Sequence, residues 1–191
     1  KLQLKPKENV LDLGCGLGKI TEYISMKTNV KITGIDYSVK AIEWAKNNIP
    51  ISSNLTFEVM DINEMDFPDN SFDAMVAFDV LYWIADIEPV MGKLHSILKP
   101  NGRVGLFYVL SRKEYEDIIN VSATENRFTK ILDENHFSYE YVDISQQTVE
   151  IWKRKIIVGE ELREKFEREM IKKKLEMPTR EILPICFLRP S

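Results

Sequence analysis

Asp12-Leu13-Gly14-Cys15-Gly16-Leu17-Gly18 decides the reading of this chain. The stretch follows a short apolar pair, Val10-Leu11, and leads into Ile20, Tyr23 and Ile24 at helical spacing. A strand, a glycine turn and a helix start make a cradle for a ligand. Glycine allows positive φ and lets the backbone approach a bound group closely. The helix N-terminus adds N–H groups without helical partners, which favour an anionic group. The spacing departs from the dinucleotide fingerprint G-x-G-x-x-G. Here the glycines fall at 14, 16 and 18, with an acid two residues before the first. Taken alone, the triplet also suits a tight turn that binds nothing.

The residues that follow decide between the two. Val30 to Ile35 reads as a second strand and runs into Asp36, about 20 residues past the turn, where a βαβ unit holds a cofactor ribose. A carboxylate is acceptor-only and can take two hydroxyls at once. Leu55 to Met60 reads as a third strand and runs into Asp61. Three successive strands thus carry acids, Asp12, Asp36 and Asp61, at or near their C-terminal ends, the edge at which open parallel sheets bind ligands.

With these residues in hand, the chain resembles the class I S-adenosylmethionine-dependent methyltransferases. VLDLGCGLG (10–18) matches that family's first motif, ITGIDYS (32–38) the second and VMDI (59–62) the third. FPDNSFDAMVAFDVLYWIAD (67–86) matches the segment around the fourth strand, and LKPNGRVGLFYV (98–109) the turn and fifth strand. The matches run in order and cover about residues 8–110. The resemblance implies an α/β, three-layer Rossmann-like sandwich. Its seven-stranded sheet would be mostly parallel, with the last strand antiparallel and the order 3-2-1-4-5-7-6. It implies S-adenosyl-L-methionine as cofactor and S-adenosyl-L-homocysteine as product.

The same resemblance assigns site residues. The backbone of Gly14, Cys15 and Gly16 would meet the amino-acid end and the ribose. Asp12 would orient the loop and approach the methionine ammonium through water. Asp36 would take the ribose diol, and Tyr37 would lie against the adenine. Asp61 would accept from the exocyclic amine, with Ile62 giving a backbone N–H and an apolar wall. A carbonyl of Ala77 or Phe78 would meet the ammonium. Plainer structural readings stand beside these: a turn cap for Asp12 or Asp61, a helix N-terminal charge for Asp36, a core ring for Tyr37.

Methyl transfer is an in-line displacement on an already activated cofactor, so positioning and drying suffice. A general base is needed only if the acceptor must lose a proton. No catalytic signature is therefore compulsory. Asp79 and Tyr82, with Trp83, follow the fourth strand and are the candidates, Asp79 as base or amine anchor and the rings facing a cation. A loop start and core aromatics are the plainer reading. His95, within a helix, and His136, at a helix end, read as structural. The chain has Ala77-Phe78-Asp79-Val80 where nucleobase-amine and glutamine-amide methylators carry Asn-Pro-Pro-Tyr, and no Pro-Cys pair for a covalent cysteine. A small-molecule acceptor is the expectation. The rivals are a partner subunit with this fold but no turnover, and a nicotinamide-dependent oxidoreductase.

Composition agrees. At 191 residues one domain is expected, with ordinary apolar and charged fractions. A net charge of −4 argues against a general nucleic-acid binder. No apolar run is long enough to span a membrane, and no leader pattern is present. Cys15 and Cys186 lie far apart and form no disulfide framework, so a cytoplasmic setting is expected, and no Cys/His spacing suggests a metal. The chain begins at Lys1, about nine residues before the first strand, where family members usually carry helices; the expectation is a piece lacking them.

Other elements are legible. Ser38 caps a helix with Val39, Ile42 and Ala45 on its apolar face, ended by Pro50. Pro68-Asp69-Asn70-Ser71 turns into a fourth strand, Phe72 to Phe78. Val90, Met91, Leu94, Ile97 and Leu98 mark a helix from Ile87, which Lys99-Pro100-Asn101-Gly102 stops before a strand from Val104 to Val109. Residues 114–135 read as helical, with Ile118, Ile119, Phe128, Ile131 and Leu132 inward. Tyr139 to Ile144 and Leu183 to Leu188 read as the last strands. Residues 146–180 look like a charged helical insertion between them. Its ten Lys and Arg against seven Asp and Glu give a local +3 and leave −7 on the rest. Leu162, Phe166 and Met170 recur there every four residues. The segment reads either as a solvated helix on the sheet edge or, through residues 153–174, as a substrate lid or a docking surface for an anionic partner, with a protein or nucleic-acid acceptor left open.

Overall fold

The computed structural model describes residues 2–50, 52–107, 127–143 and 184–190. Its central strands, those beginning at Asn9 and at Phe72, are short apolar runs largely buried on both faces, as parallel strands between helix layers must be. β1 (Asn9–Leu13) is flanked by β2 (Lys31–Asp36) and β4 (Phe72–Phe78), both parallel to it. β3 (Leu55–Val59) lies parallel outside β2, and β5 (Leu98–Phe107) parallel outside β4. β7 (Pro184–Pro190) pairs antiparallel with β5 and with β6 (Phe137–Asp143), giving the order β3-β2-β1-β4-β5-β7-β6.

Strand alternation sends side chains to two helix layers. Leu11, Leu13, Met75, Ala77 and Leu106 pack with Val90, Met91, Leu94 and Ile97 of α3 (Ile87–Ile97) and with Ile131 and Leu132 of α4 (Arg127–Glu134). On the other face Val10, Ile32 and Ala74 meet Ile24 of α1 (Lys19–Thr28), while Phe57 meets Ile42 and Ala45 of α2 (Val39–Asn48). The helix boundaries have local causes. Ser38 Oγ accepts from the Ala41 N–H at 3.3 Å, and Asp86 accepts from Glu88 N–H at 3.4 Å, each satisfying an orphan donor. Asn29, left-handed at φ 54°, ends α1 with its N–H on the Ser25 carbonyl.

Two ion pairs lie at the N-terminal edge of the sheet, away from the glycine turn. Arg103 bonds Glu8 at 2.6 Å and the Leu2 carbonyl at 2.6 Å, and Lys99 bonds Asp73 at 2.8 Å. Burial pushes the Glu8 and Asp73 carboxyls up, but the hydrogen bonds from Arg103 and Lys99 outweigh it, and both sit below the usual carboxylate range. Among the described residues no helix is long and apolar enough to cross a membrane.

Several boundaries differ from the sequence reading; β6 begins at Phe137 rather than Tyr139, and β7 runs to Pro190 rather than Leu188. Leu98, read as the last of the helical stripe, already pairs with Phe72 in β5. Lys99 to Gly102 then bulge out of register before Arg103 rejoins opposite Ala74, so the turn sits inside a strand rather than before it. β3 stops at Val59, and Asp61 caps a 3-10 turn, Ile62–Glu64. The readings of 114–126, Tyr108-Val109, Ile144, Leu183 and the 146–180 segment with its 153–174 basic stretch lie outside the described residues.

Candidate functional site

The sheet order reverses between β1 and β4, and the crevice at that reversal is where open α/β sheets bind ligands. A cleft of about 480 Å³ opens there. It is lined by Gly14, Asp36, Tyr37, Asp61, Ile62, Asn63, Asp79, Val80, Trp83 and Ile84. These residues follow, or close, the C-terminal ends of β1, β2, β3 and β4.

The glycine turn is stapled to the end of β2. Cys15 N–H donates to the Ile35 carbonyl at 2.9 Å, and Gly16 N–H donates to Asp36 Oδ2 at 2.9 Å. Asp36 Oδ1 accepts from Ser38 N–H at 2.8 Å, so one carboxylate fixes both the turn and the start of α2. Each of its oxygens keeps acceptor capacity for a ligand hydroxyl. Gly14 lies at φ 68°, and a Cβ there would stand 2.4 Å from Val80 Cγ2, so only glycine lets the turn and the β4 loop meet. A Cβ at Gly16, φ 52°, would meet nothing within 4 Å, which leaves open space over that turn.

Asp61 Oδ1 accepts from Asn63 N–H at 2.8 Å and from Asn63 Nδ2 at 2.7 Å, holding the carboxylate at the cleft rim. Tyr37 and Trp83 are both 79% exposed, two rings standing in solvent at the same cleft. Asp79 is left-handed at φ 54° with its N–H on the Phe107 carbonyl. A non-glycine residue in that region carries backbone strain, which concentrates at functional sites. The described lining holds three carboxylates and no cation, so the cleft favours a positively charged ligand.

Four expected residues take other places. Asp12 is 2% exposed and does not line the cleft. Its Oδ2 accepts from Thr21 Oγ1 at 2.6 Å, tying the end of β1 to α1 under the glycine turn. Burial pushes its carboxyl up to about 7, against the Thr21 bond and helped by the nearby Asp36 charge. Cys15 packs against Gly34, and burial with the Asp12 and Asp36 charges pushes its thiol far up, so it is no nucleophile. Gly16 is not in the lining and joins the site through its N–H on Asp36. Phe78 stacks at 6.2 Å on Phe107 in the neighbouring strand, and Ala77 is buried. Of Tyr82 only the backbone, in the 3-10 turn Leu81–Trp83, is described. His95 stands against His136 and Phe137, away from the cleft lining. Sequence reading missed Asn63, Val80 and Ile84. The only signal for them was adjacency to Asp61 and Asp79.

A family model described as a methyltransferase domain matches residues 4–164. Phosphoethanolamine N-methyltransferase 1 of Arabidopsis thaliana is 39% identical over 105 residues, 54% of this chain and 21% of that protein. A sterol 24-C-methyltransferase of Neurospora crassa is 34% identical over 121 residues, 61% of this chain and 32% of that protein. Among solved structures, phosphoethanolamine N-methyltransferase 2 of Haemonchus contortus, bound to phosphomonomethylethanolamine and S-adenosylhomocysteine, superposes with a TM-score of 0.76 at 20% identity. That match covers 98% of this chain and 50% of the other. The match thus spans half or less of the length of each of these three proteins. Its ordered motifs, its sheet and a match over residues 4–164 carry one conclusion: the chain belongs to the methyltransferase-domain family, within the class I S-adenosylmethionine-dependent methyltransferases.

Proposed function

We propose that this domain transfers a methyl group from S-adenosylmethionine to a small-molecule acceptor at the Asp79–Trp83 side of the cleft. The observation that carries the reading is the convergence of Gly14, Asp36 and Asp61, from three successive parallel strands, on one cleft. The residues present fit the cofactor. The volume, about 480 Å³, is in the usual range for a small-molecule pocket, roughly 300–1,000 Å³. The open space at Gly16 gives the ligand room against the backbone. The three carboxylates give the cleft a negative field that favours a cationic ligand.

When bound, the cofactor supplies a methyl group on a positively charged sulfur, which leaves as a neutral thioether once the acceptor bonds to the methyl carbon. The chain's residues do the rest. Asp36 receives the ribose hydroxyls on the lone pairs its two backbone bonds leave. Asp61 receives the exocyclic amine, with Ile62 as the apolar wall and Tyr37 across the ring. The Gly14–Gly16 backbone faces the amino-acid end. Asp12 acts through Thr21 by fixing α1 beneath the turn. Asp79 and Trp83 orient the acceptor, and where the acceptor carries a proton Asp79 takes it. The names of the relatives, phosphoethanolamine and sterol methyltransferases, support a small-molecule acceptor without choosing among them.

A thermal-shift scan with S-adenosylmethionine, S-adenosylhomocysteine and NADH tests the cofactor. Ligand at 100 times its dissociation constant adds about 2.7 kcal/mol, a rise of roughly 5–11 °C for a chain of this size. A rise with both adenosyl compounds and none with NADH is expected. A rise with NADH alone refutes the reading. Release of S-adenosylhomocysteine over an acceptor panel then separates turnover from a binding-only subunit.

A further inference from the structure

Five of the nine large apolar residues exposed among the described ones lie on α1 and α2: Ile20, Tyr23, Met26, Val39 and Trp44. The methyltransferase reading uses none of them. Tyr23 is 62% and Met26 77% exposed. On a helix of 3.6 residues per turn, Lys19, Tyr23 and Met26 fall within about 40° of the direction opposite the buried Thr21. They therefore form the outward face of α1. Lys19 Nζ stands 5.4 Å from the centre of the Trp44 ring on α2, and Lys27 Nζ 5.8 Å from that of Tyr23. Lys19 Nζ also pairs with Glu22 Oε2 at 3.0 Å, so the two helices meet in one surface where lysines and a carboxylate are set among apolar side chains. The helices carry Lys19, Lys27, Lys40 and Lys46 against Glu22 and Glu43, a local +2 in a chain of net −4.

We infer that this α1–α2 surface docks on an anionic lipid membrane. Charge complementarity selects that partner. A protein interface concentrates aromatic and apolar side chains in a dry centre from which lysine is depleted. Here two ammonium groups lie against the rings of the patch itself, Lys19 shared with Glu22 and Lys27 in no ion pair among the described residues. That is the arrangement of an interfacial surface, where rings and methionine enter the headgroup boundary and lysine stems run along the apolar surface with their charges at the phosphates. α1 begins at the glycine turn and α2 just after Tyr37, so docking holds the cleft within about a helix length, roughly 15 Å, of the lipid. The inference is independent of the chemistry proposed above.

The test is co-sedimentation of the full chain with vesicles of phosphatidylcholine alone and of phosphatidylcholine with about one part in three phosphatidylserine. Binding to the anionic vesicles about tenfold or more above the neutral ones, weakened by salt, is expected. Tyr23→Ser/Met26→Ser and Lys19→Glu/Lys27→Glu should each remove most of it, whereas Val59→Ser, an exposed apolar position on β3, should not. The two double variants change different chemistry, so a lower melting temperature in one leaves the other readable. No sedimentation with anionic vesicles overturns the inference, as does equal binding by all variants. A dimer in light scattering that Tyr23→Ser/Met26→Ser disperses also overturns it, because a second copy then covers the surface.

Discussion

Gly16→Ala and Gly18→Ala should separate ligand binding from folding within one turn. Both residues have positive φ, +52° and +71°, so alanine carries a left-handed penalty of about 1–2 kcal/mol at either. At Gly18 the new Cβ would stand 2.4 Å from Phe57 Cε1 and 2.9 Å from Ile49 Cδ1. Both neighbours are buried and cannot swing into solvent. Overpacking a core of that kind adds about 1–3 kcal/mol. The sum, about 2–5 kcal/mol, lowers the melting temperature by roughly 4–20 °C in a chain of this length. At Gly16 the Cβ meets nothing, so the ligand-free protein should lose only roughly 2–8 °C. That Cβ enters the space assigned to the cofactor, and S-adenosylhomocysteine affinity in titration calorimetry should fall by about tenfold or more, a loss of about 1.4 kcal/mol. The assay is a melt of both variants without ligand, followed by calorimetry at a temperature where both are folded. Wild-type affinity in Gly16→Ala would refute the placement of the cofactor. Equal melting losses in the two variants would refute the packing argument at Gly18.

Three further outcomes are expected. Asp36→Ala removes the acceptor for Gly16 and Ser38 N–H as well as the ribose contact, and should weaken S-adenosylhomocysteine by about 1–3 kcal/mol; unchanged affinity would sink the ribose assignment. Asp12 is protonated more readily in the folded chain, about 7 against 3.8, so its contribution is full below pH 3.8 and is lost as pH rises through 7, about 4 kcal/mol in all. Asp12→Asn should accordingly flatten the fall in melting temperature between pH 4 and 7, and a parallel fall in the variant would contradict the buried acid. Leu94→Ala, at a fully buried position in the larger apolar cluster, should cost about 2–5 kcal/mol in chemical denaturation, and a loss under about 1 kcal/mol would mean that the site collapses around the change.

The parallel core was legible because its signals are local. β4 runs Phe72–Phe78 as read, since Pro68 to Ser71 mark its start and the run itself is apolar. α2 begins at the Ser38 cap as read. The stripe Val90, Met91, Leu94 and Ile97 is the buried face of α3. Leu98 failed because an apolar residue after a helical stripe fits the next helical position and a first strand position equally. Its pairing with Phe72, a distant contact, decided.

The site divides the same way. The sequence by itself determined the family, the order of motifs and the cofactor class, because a glycine turn followed by acids at strand ends is written in spacing. It also marked Asp36, at the end of β2, and Asp61, two residues past the end of β3, because local pattern sets both places. The tertiary structure decided which marked residues face the cleft. Asp12 and Asp36 look alike in the chain, an acid ending or nearly ending an apolar strand. β1 is central and α1 covers it, so Asp12 is closed off against Thr21. Asp36, though only 9% exposed, stands at the very end of β2, where its carboxylate lines the cleft. Burial depends on what packs across the strand from elsewhere in the chain, and no local spacing carries that information.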